Sequence, residues 1–269
     1  MKEICKDIRC DIMTCIGHLG VGHIGGCLSI VELLAVLYFE EMNIDPAQPK
    51  MEGRDRFICS KGHAGPAVYA TLANRGYFDK SELLTLNQGG TKLPSHCDMN
   101  LTPGVDMTTG SLGQGFSCAV GVALGAKVTD GATVYALVGD GESQEGQIWE
   151  AAMFAGAKKL DNFIAFTDYN KLQIDGPNSW VNEVAPLDQK WAAFGWNVIN
   201  VEDGNDVEQV SAAVKAAKSM LGKGKPTMVI LNTLKGCGVK WIEDMGAGNH
   251  NTTLNEQQVI DAIAEIRGN

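Results

Sequence analysis

Oxygen-bearing side chains follow two apolar segments in the second half of the sequence. Val134–Val138 runs into Gly-Asp-Gly, and Phe163–Thr167 runs into Asp-Tyr-Asn. If the segments are neighbouring parallel strands, their carboxyl ends bring Asp140 and Asn170 to one sheet edge, where ligands bind. A carboxylate and an amide oxygen suit Mg²⁺, which takes its other ligands from water and substrate phosphates. The pair therefore indicates a site for Mg²⁺ and a diphosphate.

The glycines beside Asp140 are compatible with the same interpretation. Gly139 and Gly141 would let backbone N–H groups approach a phosphate, and a helix N-terminus beyond them would favour an anion. The alternative is purely structural, because Gly-Asp-Gly can be a simple turn and Asn170 a cap. These residues alone leave both interpretations open.

Histidines form a second group of candidates. Of the five in the chain, four lie in segments that contain glycine or proline, namely His23, His63, His96 and His250. Loop histidines near a phosphate site can bind hydroxyl groups and relay protons. Each could equally be an exposed loop residue or a core residue with satisfied hydrogen bonds. Their spacing matches no zinc motif.

One competing motif occurs near the start of the chain. Gly20–Gly25 satisfies G-x-G-x-x-G, and Asp45 follows at a suitable distance for a dinucleotide-binding fingerprint. That fingerprint must follow a strand, whereas the residues before Gly20 have helical spacing. We therefore expect these glycines to form a tight loop that presents His23.

Regular elements must position these residues. Ile4, Ile8, Ile12 and Ile16 recur at helical spacing and predict an amphipathic first helix. A second helix is expected at about Ser29–Glu41, with Ser29 as N-cap and Glu32 completing a capping box. Between residues 89 and 110 a long loop is expected, which its length marks as functional. The remaining expected elements are strands at Phe57–Cys59, Val134–Val138, Phe163–Thr167, Asn197–Val201 and Thr227–Leu231, and helices at Ala64–Gly76, Gly146–Lys159 and Asp206–Leu221. This alternation predicts a single α/β domain with a mainly parallel sheet.

Composition narrows the class of protein. The chain has 269 residues and a formal net charge of −10, and its basic residues form no runs, so nucleic acid is not an expected partner. The longest apolar run is far shorter than a membrane span, and no signal-peptide core follows the first residues. Eight cysteines without a C-x-x-C pair fit reduced thiols. A cytoplasmic protein is expected.

Four blocks in this order resemble the N-terminal part of transketolases. They are Arg54–Phe57 with Ser60–His63, Pro103–Val105 with Thr109–Gly115, the span from Gly139-Asp140-Gly141 to Asn170, and Glu145-Gly146 with Trp149-Glu150. The resemblance extends from about Ile12 to the C-terminus. It implies a three-layer α/β/α thiamine-diphosphate-binding fold, with residues 1–269 forming one diphosphate-binding (PP) domain.

The resemblance also implies the cofactor residues. Thiamine diphosphate would be held through Mg²⁺ or Ca²⁺, with Asp140, Asn170 and the backbone carbonyl of Leu172 as metal ligands. Gly139 and Gly141 would lie against the diphosphate. The aminopyrimidine would contact a segment that includes Gly110 and Leu112.

Further residues are implied to act on the substrate or between subunits. His63 and His23 match histidines near the diphosphate and the reacting sugar, His96 matches one that binds the donor's hydroxymethyl group, and His250 falls where a substrate histidine is expected. Glu145 and Glu150 resemble carboxylates that share protons across a subunit interface. The chain departs from the family at Ile24 and Cys97, which replace prolines, and at His18, which has no counterpart.

The largest departure is that the pyrimidine-binding (PYR) and C-terminal domains are absent. In the family, the glutamate that activates the cofactor belongs to the PYR domain, and no residue here corresponds to it. The resemblance therefore implies one subunit of a split transketolase, which transfers a two-carbon ketol unit from a ketose phosphate to an aldose only together with a PYR-domain subunit. Homodimerisation would give a heterotetramer. Pentose phosphates or other ketose phosphates fit as substrates.

Two alternatives come from other classes. The chain could be a non-catalytic cofactor-binding or regulatory homologue, or a nicotinamide-dependent oxidoreductase. The oxidoreductase requires a strand immediately before Gly20.

Overall fold

A five-stranded, all-parallel sheet forms the centre of the computed structural model, which describes residues 1–268. The strands of this sheet and of two short antiparallel pairs are, in chain order, β1 (Val21–Gly22), β2 (Arg56–Cys59), β3 (Val134–Gly139), β4 (Phe163–Tyr169), β5 (Leu172–Gln173), β6 (Gly176–Pro177), β7 (Asn197–Val201), β8 (Thr227–Asn232) and β9 (Thr252–Thr253). The central order is β2-β3-β4-β8-β7, while β1 pairs with β9 and β5 with β6. Each of the five predicted strands is present in the central sheet.

Helices cover both faces of this sheet. They are α1 (Lys2–Leu19), α2 (Ile24–Leu28), α3 (Val31–Val36), α4 (Gly65–Arg75), α5 (Gln114–Val128), α6 (Gly146–Ala157), α7 (Asn178–Val181), α8 (Leu187–Ala193), α9 (Val207–Lys218), α10 (Lys240–Asp244) and α11 (Glu256–Arg267). A π-helix, Leu37–Glu41, continues α3, and short 3-10 turns lie at 62–64, 80–85, 142–144 and 246–249. No helix within residues 1–268 is long and apolar enough to cross a membrane.

The apolar residues form two clusters, one on each side of the sheet. Alternate strand residues point to opposite sides, so that Tyr135 and Leu137 of β3 lie in one cluster, and Ala136 and Val138 lie in the other. The first cluster packs against α1, α3, α4, α9 and α11, and the second against α5, α6 and α8. The fold is therefore the predicted three-layer α/β/α arrangement.

The predicted second helix is wrong at its start, although it ends at Glu41 as expected, with a π-helix as its last part. Ser29 ends α2 instead of capping a helix, and α3 begins at Val31. The Ser29 hydroxyl donates to Asp168 Oδ2 at 2.8 Å, and Glu32 forms a buried ion pair with Arg9 at 2.7 Å instead of a capping box. Buried charged partners from distant segments outcompete the local capping pattern.

The segment before the G-x-G-x-x-G motif is a helix, as its spacing predicts. Gly20 ends α1 with a left-handed φ of 85°. The next residues, Val21–Gly22, form the two-residue strand β1, which pairs only with β9 and lies outside the main sheet. A dinucleotide fingerprint needs a preceding strand of the main sheet, so this motif lacks its structural context. The stretch from 87 to 113 contains no helix or strand, as expected for the long loop.

Candidate functional site

A cavity of about 410 Å³ opens at the carboxyl edge of the sheet. Loops that follow β2, β3, β4 and β8 form much of its wall, as expected for a parallel sheet. Of the residues singled out in the sequence, the cavity brings together His23, His63, His96, Gly110, Leu112, Gly139, Asp140, Gly141, Glu145, Asn170, Leu172 and His250. Other lining residues include Lys61, Glu142, Asp168, Gln173 and Lys235.

Two of the sequence candidates lie outside this cavity. Glu150 is exposed on α6 and borders a shallow depression with Ser117 and Phe154 on the outer face of α5 and α6. His18 is exposed in the last turn of α1. Glu145 is also exposed, at the N-cap of α6, but lies at the cavity wall.

Asp140 follows β3 and is a buried carboxylate at the cavity wall. It is 2% exposed and accepts hydrogen bonds from the backbone N–H groups of Gly141, at 2.8 Å, and Lys171. Burial, together with the negative charge of Asp168, raises the pKa of Asp140 to about 7. Within residues 1–268 no lysine or arginine nitrogen lies close enough to form an ion pair with it. A cation at this point would compensate a charge that the protein leaves unpaired.

Asn170 lies beside Asp140 because of the strand register. Gly139 of β3 pairs with Asp168 of β4, so the next residues of both strands reach the same edge. The Asn170 side chain is fixed at both ends: its amide nitrogen donates to Asp168 Oδ2 at 3.0 Å, and its Oδ1 accepts from the N–H of Leu172 at 3.1 Å. Both residues therefore line the same cavity at the carboxyl edge of the sheet.

The backbone donors around Asp140 differ from the sequence interpretation. The N–H of Gly139 donates to Glu142 Oε2 at 3.0 Å, and that of Gly141 donates to Asp140 itself. Both N–H groups are thus used within the loop and do not face the cavity as free phosphate donors. Gly141 provides space, since a Cβ there would lie 3.0 Å from Gln173 Cβ, whereas a Cβ at Gly139 would come no closer than 3.8 Å to another residue.

Four histidines line one part of the cavity. The ring of His23 lies 5.3 Å from His63, 5.9 Å from His96 and 5.3 Å from His250, and His63 lies 5.2 Å from His250. Burial lowers the pKa of each ring, with nearby positive charge adding to the effect at His23, His63 and His250. The pKa of His250 falls to about 4. All four rings are therefore neutral at pH 7 and can each donate and accept a hydrogen bond.

Two lysines of the cavity were missed in the sequence. Lys61 is 2% exposed, and its ammonium group donates to Asp168 Oδ2 at 2.6 Å and to the Gly26 carbonyl at 2.7 Å. Lys235 is 3% exposed, and its Nζ lies 3.2 Å from His250 Nδ1. Burial and the positive charge of Lys61 lower the pKa of Lys235 to about 8. Both lysines follow predicted strands, so the strand-end rule that indicated Asp140 could have found them.

The comparisons with known proteins agree on one family. Residues 1–267 match the family described as "Transketolase, thiamine diphosphate binding domain". The chain belongs to the transketolase family. It is 56% identical to the 6-deoxy-6-sulfo-D-fructose transketolase subunit SqwG of Clostridium sp. (strain MSTE9), over 93% of this chain and 90% of that one. It is 42% identical to an apulose-4-phosphate transketolase subunit of Actinobacillus succinogenes, over 91% and 88%.

Undivided transketolases match over the same domain but are much longer. The rat transketolase is 37% identical over 99% of this chain and only 42% of its own length. The solved transketolase of Leishmania mexicana superposes with a TM-score of 0.90 at 32% identity, over 99% of this chain and 41% of that one. The chain therefore corresponds to the separate N-terminal subunit of a transketolase that is divided between chains.

The cavity of this transketolase subunit has a donor set that fits a divalent cation bound together with a diphosphate. In the described residues, no three histidine, cysteine or carboxylate side chains gather into a self-sufficient metal site. Asp140 instead stands beside amide and backbone oxygens, which is the sparse set that Mg²⁺ accepts when phosphates complete its shell. The ammonium group of Lys235 lines the same cavity and provides positive charge for an anion.

Proposed function

We propose that this chain is the cofactor-binding subunit of a two-subunit transketolase that transfers a two-carbon ketol unit from a ketose to an aldose. The observation that carries the proposal is the set of side chains that line one cavity. The buried, unpaired carboxylate of Asp140 lies there with four neutral histidines and Lys235. A metal-bound diphosphate and a polyhydroxylated substrate together would use all of these groups.

Thiamine diphosphate would be held through Mg²⁺ or Ca²⁺. The ligands would be Asp140, Asn170 and the carbonyl of Leu172, with Lys235 close enough to attract the diphosphate. Gly110 and Leu112, on the same cavity wall, would face the aminopyrimidine. The buried position of Asp140 supports this assignment, because a cation would lower the free-energy cost of keeping its charge out of water.

The chemistry divides between cofactor and protein. Thiamine diphosphate, when bound, supplies a stabilised carbanion that no side chain can provide. His23, His63, His96 and His250 bind sugar hydroxyl groups and move protons at their ring nitrogens. Their lowered pKa values keep them neutral, so each can act as donor to one oxygen and acceptor from another at pH 7.

The donor substrate would be a ketose with an anionic group at its far end. Two similar subunits are named for a sulfonated and a phosphorylated sugar. Because identity is 56% to the first and 42% to the second, 6-deoxy-6-sulfo-D-fructose is the donor to test first. Apulose 4-phosphate and other ketose phosphates are the next candidates.

The partner would be a separate subunit that carries the PYR domain and the activating glutamate. A second copy of this chain would cover the outer face of α5 and α6, where Val128 is 78%, Met153 57% and Phe154 41% exposed. Burial of these apolar side chains favours association. The assembly would then be a heterotetramer, and its place would be the cytoplasm.

Reconstitution tests the proposal. This chain and a candidate PYR-domain subunit, sought in the reading frames beside its gene, are purified separately and assayed alone and together with thiamine diphosphate, Mg²⁺, an aldose phosphate and each candidate ketose. We expect ketol transfer only in the mixture and its loss with Asp140→Asn. A folded complex that binds cofactor but transfers no ketol unit from any donor would instead indicate a non-catalytic homologue.

A further inference from the structure

Glu142 is a buried carboxylate with no place among the residues assigned so far. It is 3% exposed and lines the cavity two residues after Asp140. In the described part of the chain, the buried ion pairs join Arg9 to Glu32 and Lys61 to Asp168, and no cation pairs with Glu142. Hydrogen bonds are the main interactions that favour its charged form, with a smaller contribution from the charge of Lys61.

Both oxygens of Glu142 accept hydrogen bonds from different segments of the chain. Oε1 accepts from the hydroxyl of Ser60 and, at 2.9 Å, from the backbone N–H of Gly113. Oε2 accepts from the N–H of Gly139 at 3.0 Å. Three donors that are 26 or more residues apart along the chain thus meet at one side chain.

Each of these donors begins or ends a loop that carries cavity residues. Ser60 directly follows β2 and precedes His63, Gly113 directly follows the segment that contains Gly110 and Leu112, and Gly139 precedes Asp140. The carboxylate therefore joins the three loops at their bases.

The loops are also packed closely where Glu142 holds them. A Cβ at Gly62 would lie 2.6 Å from the carbonyl carbon of Thr109, and one at Gly115 would lie 2.8 Å from Ser60 Cα. Real Cβ atoms do not approach other atoms so closely, so the backbones of the two loops touch. A small shift of either loop changes the cavity, because close-packed interiors transmit displacement.

We propose that Glu142 is a positioning residue that fixes the separations between Asp140, His63 and the Gly110–Leu112 segment. The proposal rests on the proposed function, since only there do the three loops serve one ligand. It assigns no proton transfer and no direct cofactor contact to Glu142. Its role depends on the length of the side chain and on its two acceptor oxygens.

Two substitutions test separately whether the length or the charge of the Glu142 side chain matters. Glu142→Gln keeps the length, but its amide has one acceptor oxygen, so whichever way it turns at least one N–H or O–H loses its partner. Glu142→Asp keeps the charge but is one methylene too short to reach all three donors. Glu202→Gln is the matched control, because Glu202 is exposed.

Amide hydrogen exchange, read by mass spectrometry on the purified chain without cofactor, is the first measurement. We expect peptides that contain Gly113 and Gly139 to exchange about tenfold faster in both Glu142 variants, while α11 peptides stay unchanged. Glu202→Gln should match the parent protein throughout. Unchanged exchange at both glycines in a folded Glu142→Gln would overturn the proposal.

Calorimetric titration with thiamine diphosphate and Mg²⁺ is the second measurement. The affinity should fall about tenfold or more in both variants, whereas a purely electrostatic role would leave Glu142→Asp near the parent value. If the Glu142 variants do not fold, Ser60→Ala removes a single donor and should weaken cofactor affinity in the same direction; an unchanged affinity contradicts the proposal. Should the parent chain, alone and with its partner, bind no cofactor, the proposed function fails while the exchange result still decides the role of Glu142.

Discussion

Lys61 and Asp168, at the wall of the cavity, form a buried ion pair. The two groups are 2.6 Å apart, with side chains 3% and 0% exposed. Burial acts to raise the pKa of Asp168. The charge of Lys61 and hydrogen bonds from Lys61, Thr233 and Ser29 outweigh it and hold that pKa below its usual value. The pair connects the end of β2 to the end of β4, so it fixes the base of the site.

Removing one partner of this ion pair should destabilise the fold. Lys61→Met leaves the Asp168 carboxylate buried without its cation, and we expect a loss of about 3–5 kcal/mol in the free energy of unfolding, measured by urea denaturation. The double variant with Asp168→Asn should recover part of that loss. Lys223→Met, at an exposed position, is the control. Equal midpoints for Lys61→Met and the parent protein would contradict this account.

Asp140→Asn should separate cofactor binding from stability. The affinity for thiamine diphosphate in the presence of Mg²⁺ is expected to fall about 100-fold or more, since even indirect contacts to metal ligands contribute 10–100-fold. The cofactor-free protein should change little in its urea midpoint, because removing a buried unpaired charge offsets the loss of one of the two backbone hydrogen bonds, from Gly141 or Lys171, that the carboxylate accepts. Calorimetry and denaturation measure the two effects. Asp175→Asn, which changes an exposed aspartate, should affect neither.

Gly25→Ala should destabilise the protein through a clash with Asn249. An added Cβ would lie 2.0 Å from Asn249 Oδ1 and 2.9 Å from its carbonyl oxygen. We expect a loss of about 1–3 kcal/mol, seen as a lower thermal midpoint. The neighbouring Gly26→Ala places its Cβ at ordinary contact distances of 3.6 Å and beyond, so it should be tolerated. Similar midpoints for the two variants would show that the Asn249 contact is relaxed in solution.

Stability should fall as the pH drops below 6.5. The pKa of His250 is lowered, chiefly by burial and then by Lys235, from 6.5 to about 4. In that interval the unfolded chain binds a proton that the folded chain excludes, so stability is full above pH 6.5 and is lost as pH falls toward 4. Because the ring is partly exposed to solvent, screening reduces the size of this loss. Denaturation at pH 7.5 and 4.5 measures it, and His250→Gln should show a smaller difference between the two values.

Phe154→Asp tests the proposed contact between two copies of this chain. A carboxylate on the apolar outer face of α6 should convert a dimer to a monomer in sedimentation velocity, because a charge buried in the contact would be unpaired. Ile260→Asp on α11 makes the same change at a side chain that is 53% exposed. It should leave the dimer intact. A dimer that persists in Phe154→Asp would place the contact elsewhere.

The central sheet and the meeting of Asp140 with Asn170 could be predicted because both depend on local patterns. Strands buried on both faces are continuous apolar runs, as Val134–Val138 and Phe163–Thr167 are, and parallel strands end at one edge. Once β3 and β4 are adjacent, the position of the two side chains follows.

Contacts over long sequence distances could not be predicted in this way. Ser29 and Glu32 have the spacing of a capping box, yet their hydrogen bonds go to Asp168, 139 residues away, and to Arg9. Glu142 accepts a hydrogen bond from Ser60, 82 residues away, and no local pattern indicates its burial. Burial creates the demand for these partners, and burial is a property of the whole fold.

If the cavity binds a metal ion and a diphosphate as proposed, the unpaired carboxylate of Asp140 couples the uptake of the two. Without the metal ion, a diphosphate would meet the carboxylates of Asp140 and Glu142 as well as the ammonium group of Lys235. Without the diphosphate, a metal ion would have one carboxylate among neutral oxygens as its ligands. Each therefore raises the affinity of the subunit for the other, and by reciprocity the two factors are equal. Occupancy would then follow the product of the two free concentrations, so a fall in free Mg²⁺ would lower it even at a constant concentration of thiamine diphosphate.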